Sequence, residues 1–65
     1  MTTEELYQQA VIGKEYPDTA SGGQRAAGRV LEQLEGIDWE DTLYYFDVEE
    51  VAELVKLVAA KQKKP

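Results

Sequence analysis

Neither cysteine nor histidine occurs in the 65 residues, and this absence constrains the fold more than any motif does. A chain of this length buries only about 60% of the surface its unfolded form exposes, and small domains commonly lean on disulfides or a structural metal. Without thiols or imidazoles there is no disulfide, no thiol nucleophile, no imidazole base and no common zinc-ligand set. Any metal site would need oxygen ligands alone. The fold must rest on closely packed secondary structure or on help from a partner.

The apolar spacing predicts an all-α fold of three helices. Thr2 and Glu5 stand at capping-box spacing, Leu6, Tyr7, Ala10 and Val11 share one face, and Gly13 offers a stop, giving a helix near 3–12. Ser21 and Gln24 repeat the box before Ala27, Val30, Leu31 and Leu34, and Gly36 suits a C-terminal cap, giving a helix near 22–35. The third, near 48–62, opens with Asp47 as cap and Glu50 at N3. Phe46 and Val51 are then placed as a hydrophobic staple. Its stripe is Val48, Val51, Ala52, Val55, Val58 and Ala59, widened by Leu54 and Leu57. The aromatic step Tyr44-Tyr45-Phe46 falls in a linker between helices two and three. Residues 1–62 are expected to form a single small helical domain, and 63–65 a basic, frayed tail.

Charge is divided unevenly. Between Val30 and Val55 stand Glu32, Glu35, Asp38, Glu40, Asp41, Asp47, Glu49, Glu50 and Glu53 without a lysine or arginine, whereas Lys56, Lys61, Lys63 and Lys64 follow. With a net charge of -6, the chain lacks the cationic surface that binding to nucleic acid phosphates requires. No apolar run approaches the ~20 residues of a membrane span, and MTTEEL has neither the basic start nor the apolar stretch of a signal peptide. A cytoplasmic protein is expected.

No catalytic constellation emerges. SGGQR contains the Gly-Gly-Gln tripeptide of peptide-chain release factors without its flanking residues, and no Lys-Ser/Thr pair follows the glycines to meet a nucleotide's phosphates. The acids from Asp38 to Glu49 fall near calcium-loop spacing, but Leu43 occupies the position of the central glycine. Glu32 with Glu35, or Asp38 with Asp41, resemble acid/base pairs only in spacing, with no pocket expected in so small a chain. The expectation is a protein without enzymatic activity, cofactor or metal.

AAGRVLEQLE, a short acidic linker, YYFD and then EEVAELVKLV together resemble the N-terminal helical segment ahead of the ATPase domain in tailed-phage terminase large subunits. The residues that match are Ala26, Arg29, Leu31 and Leu34, then Tyr45, Phe46 and Asp47. Upstream, LYQQAVIG resembles the family's Tyr-x-x-x-Val-x-x-Gly opening through Tyr7, Val11 and Gly13, with the glycine one residue early. The phosphate-binding loop, the Walker B acid and the nuclease carboxylates are all missing. The resemblance thus implies a helical contact module in a phage DNA-packaging machine, working in the host cytoplasm.

Two functional expectations result. In the first, the chain docks on a protein partner through Tyr44, Tyr45, Leu54 and Leu57, with a homodimer as a further form of that contact. In the second, Glu32, Glu35, Asp38, Glu40 and Asp41 imitate nucleic acid phosphates and block a basic cleft, as an anti-defence or anti-CRISPR type inhibitor would.

Overall fold

The computed structural model describes residues 1–62, so the expected basic tail at 63–65 lies outside the described residues. Both capping boxes form. The Glu5 amide donates to Thr2 Oγ1 at 3.2 Å and the Thr2 amide to Glu5 Oε1 at 3.0 Å, opening α1 (Thr3–Glu15). Ser21 and Gln24 make the same exchange at the start of α2 (Gly22–Glu32). Two further helices follow, α3 (Trp39–Tyr45) and α4 (Val48–Gln62). At α4 the Asp47 amide donates to Glu50 Oε1 at 3.1 Å, which is the returning half of the predicted box.

The described residues are all-helical, as predicted, but they form four helices rather than three. Helix one continues to Glu15 instead of stopping near 12, and helix two ends at Glu32 instead of 35. The predicted aromatic linker contains α3. Among the described residues no glycine has a positive φ, so neither Gly13 nor Gly36 serves as a left-handed cap. Gly13 serves for close approach instead. A Cβ there would lie 1.7 Å from the Gln24 carbonyl oxygen, and one on Gly28 would lie 2.7 Å from the Lys14 nitrogen. α1 and α2 therefore cross with their backbones touching, and they form the most extensively packed pair of helices.

Leu6 and Ala10 from α1, Ala27 and Val30 from α2, and Leu54 and Val58 from α4 form one buried cluster. Tyr7, Leu31, Leu34, Ile37, Phe46 and Val55 pack around it. Leu34 and Ile37 reach it from outside the helices. The chain leaves α2 at Gln33, and a turn closed by the Gly36 amide on the Gln33 carbonyl at 3.1 Å brings Ile37 inward. α4 turns Val51, Leu54 and Val58 to the core, which leaves Val48, Ala52 and Ala59 exposed, so the predicted stripe is rotated toward Leu54. At the far end of α4, the Lys61 ammonium stands 4.8 Å from the centre of the Tyr7 ring, tying its last turn to α1. No helix among the described residues is long and apolar enough to cross a membrane.

The Thr2 backbone N–H, followed by its hydroxyl, holds the Glu5 carboxyl below its ordinary value. A folded-state value below the unfolded one stabilises the fold above the unfolded pKa, and the contribution is lost as pH falls through the folded value. The first turn of α1 should therefore fray selectively in acid. The protection of the Glu5 and Leu6 amides, meaning exchange measured against the intrinsic rate at the same pH, should fall as pH drops below the carboxylate range, and Glu5→Gln should flatten that response. An equal response in parent and variant would remove Glu5 as its source.

Candidate protein-docking face on α3

α3 inverts the usual relation between burial and polarity. Its one fully buried side chain is Thr42, at 2% exposure. Trp39, Leu43 and Tyr44 are 45%, 43% and 80% exposed. The inward threonine is satisfied locally: its Oγ1 donates to the Asp38 carbonyl at 2.7 Å, and that oxygen also accepts the Thr42 amide at 2.9 Å. Asp38 caps the helix by accepting the Asp41 amide at 3.1 Å. Asp41 is joined to Arg29 of α2 at 2.7 Å. The ion pair is half exposed, so it fixes where α3 lies on α2 more than it stabilises the fold.

At 100° per residue, Asp41, Tyr45 and Thr42 occupy the arc toward the body, while Trp39, Leu43, Glu40 and Tyr44 occupy the outward arc. The contacts place Tyr45 on the body, although at 44% exposure its ring is as open as Trp39 and Leu43. A Cβ on Gly22 would fall 2.5 Å from the Tyr45 hydroxyl oxygen, and one on Gly23 would fall 3.7 Å from both the Tyr45 and Phe46 rings. The two rings lie over the first turn of α2, and the glycine pair of SGGQ is the floor beneath them. On its other side Gln24 donates from Nε2 to Gln9 Oε1 of α1, so the whole motif is occupied with packing. Tyr44 meets Tyr45 edge to face with ring centroids 4.9 Å apart, and its remaining surface is open.

The four residues expected to bind a partner are thus separated. Tyr44 lies on the outward arc, Tyr45 rests on the glycines, Leu57 is half-buried on α4, and Leu54 is a core residue at 1% exposure. Leu54 was expected on the partner side because the stripe was centred on Val48, Ala52 and Ala59, whereas the core takes the edge of the apolar arc that carries Leu54. Trp39 and Leu43 were missed. Their i, i+4 spacing was visible, but in a segment of seven residues it could not be distinguished from a loop.

The acidic residues are divided as well. Glu32, Glu35 and Glu40 are exposed, whereas Asp38 is committed to the α3 cap and Asp41 to Arg29. The segment with calcium-loop spacing is largely helical, with its first acid serving as that cap.

The aromatic residues allow a direct test. Phe46→Ala should destabilise by about 3 kcal/mol and Tyr45→Ala by roughly half as much, because the first ring packs on the core and the second is partly open. Tyr44→Ala should stay within about 0.5 kcal/mol of the parent. A chemical-denaturation series in which Tyr44→Ala costs the most would reverse the assignment of these rings.

The chain matches no protein-family model, and neither curated proteins nor solved structures give a match to it.

Proposed function

We propose that the chain is a non-catalytic protein–protein interaction module that docks through the outward arc of α3. One observation carries this reading: α3 directs a threonine inward and Trp39, Leu43 and Tyr44 outward. Trp39 and Leu43 leave nearly half of their surface in water and Tyr44 most of its own, and a neighbouring set of partly open apolar side chains suits a contact surface.

The phage DNA-packaging setting comes from the resemblance to terminase N-terminal segments. Ala26 is buried, Leu31, Leu34 and Phe46 pack on the core, and Arg29 pairs with Asp41. These uses support a shared helical shape more than a shared site. The second reading, an acidic nucleic acid mimic, draws support from the nine acids and no base between Val30 and Val55. It is weakened by the internal use of Asp38 and Asp41.

The test is affinity capture from phage-infected cells with three baits: the parent, a Trp39→Ala/Leu43→Ala variant, and a variant with Glu32, Glu35 and Glu40 changed to glutamine. The proposed reading expects a packaging component on the parent, lost with the first variant and weakened but still captured with the second. Capture of a nuclease or CRISPR effector that survives the first variant and fails with the second would overturn it in favour of the mimic.

A further inference from the structure

The outward arc of α3 carries Trp39, Leu43 and Tyr44 with the carboxylate of Glu40 among them, and that combination specifies a partner chemistry. Resting on the docking reading above, we infer that the face takes a protein surface on which lysine or arginine side chains surround an apolar patch. Trp39, Leu43 and Tyr44 supply only the centre of an interface, since a stable one takes about 20–30 residues a side. The acids placed at this face are Glu40 within the arc and Asp38 and Asp41 beside Tyr44, with Asp47 two residues after α3 in the chain. Among the described residues Arg29 is the one cation shown paired with an acid of α3, and Asp41 already holds it at 2.7 Å. In the shallow concavity lined by Asp38, Glu40, Asp41 and Tyr44, Asp38 serves the α3 cap and Asp41 holds Arg29, which leaves the Glu40 carboxylate next to an exposed ring, a setting that suits a guanidinium or ammonium group.

The same charges argue against other occupants. A second copy docking face to face would bring Glu40 and the acidic rim against their own counterparts, and each chain carries a net charge of -6. Anionic membrane surfaces and nucleic acid are repelled for the same reason.

Trp39 is the only tryptophan in the chain and lies in the face, so its fluorescence reports occupancy directly. The probes are three amphipathic helical peptides with identical apolar residues whose flanking positions are all arginine, all glutamine or all glutamate. The arginine peptide should shift Trp39 emission, bind at least ~10-fold more tightly than the glutamine peptide, and weaken about 10-fold between 50 and 300 mM salt. Leu43→Ala/Tyr44→Ala, which keeps the reporter, should lose binding about 10-fold with circular dichroism unchanged.

Equal binding of the arginine and glutamine peptides would overturn the cationic partner and leave the docking face standing. Arginine-peptide binding indifferent to Leu43→Ala/Tyr44→Ala would overturn both, because the attraction would then lie elsewhere on the acidic surface. If no peptide moves Trp39 at millimolar concentration, the cationic partner is overturned and the docking reading rests on the capture experiment alone. A dimer in sedimentation that Leu43→Ala dissolves would assign the face to a second copy instead.

Discussion

Gly13→Ala is expected to leave the chain largely unfolded at 25 °C, although the substitution is favourable for an isolated helix. Within α1, alanine should gain about 1 kcal/mol over glycine in helix propensity. The added Cβ, however, would lie 1.7 Å from the Gln24 carbonyl oxygen and 2.3 Å from its carbon, and neither is a flexible side-chain end that can swing aside. α1 and α2 would have to separate, and that crossing is what brings Ala10 against Ala27 and Val30 in the core. Overpacking typically costs 1–3 kcal/mol even where side chains can adjust, so a backbone overlap belongs at or beyond the upper end of about 3. A domain of this size holds only roughly 3–5 kcal/mol in reserve. Gly28→Ala should be milder, with its nearest approaches at 2.7 and 2.8 Å, and Gly36→Ala should be close to neutral, since its nearest neighbour is the Gln33 amide oxygen at 3.5 Å. Thermal melts followed by circular dichroism give the order directly, and a Gly13→Ala variant melting at or above the parent would show that the two helices do not cross in backbone contact.

Gly13 also shows what could be read from the sequence and what could not. As a local signal, a glycine after an amphipathic stretch means a helix stop, and that was the expectation; its actual use depends on Gln24 and Gly28, which local reasoning cannot place beside it. The helix starts were legible for the opposite reason. Thr2 with Glu5 and Ser21 with Gln24 satisfy backbone donors within three residues, so no tertiary information was required. α3 fell between these cases. Asp38 followed by Asp41 is a cap signal at the right place, but the apolar residues that follow face outward and produce no core stripe to confirm it. Apolar residues that play no part in the core are read as loop until the fold shows their direction. Trp39 and Leu43 were passed over in the sequence for that reason.

Leu54→Ala and Leu57→Ala should separate core from surface on α4. The two leucines are three positions apart on a helix that is apolar around much of its circumference, and as sequence they are equivalent candidates for a contact. In the structure Leu54 is 1% exposed and clusters with Leu6, Val30 and Val58, while Leu57 is half-buried and stands outside that cluster. Truncating a buried leucine costs about 2–5 kcal/mol, a transfer loss plus a cavity, so Leu54→Ala should consume most or all of the reserve. Leu57→Ala should cost about 1 kcal/mol, in proportion to the smaller area it withdraws from water. Leu54→Met keeps the volume and should cost less than about 1.5 kcal/mol, which separates the cavity from any general intolerance at the site. Denaturation of the three variants in which Leu57→Ala is the unstable one would mean that α4 is rotated from the orientation described. With the expected order, any partner binding lost in Leu54→Ala is the result of unfolding, and only Leu57→Ala, at nearly native stability, can report whether α4 adds to the contact proposed for α3.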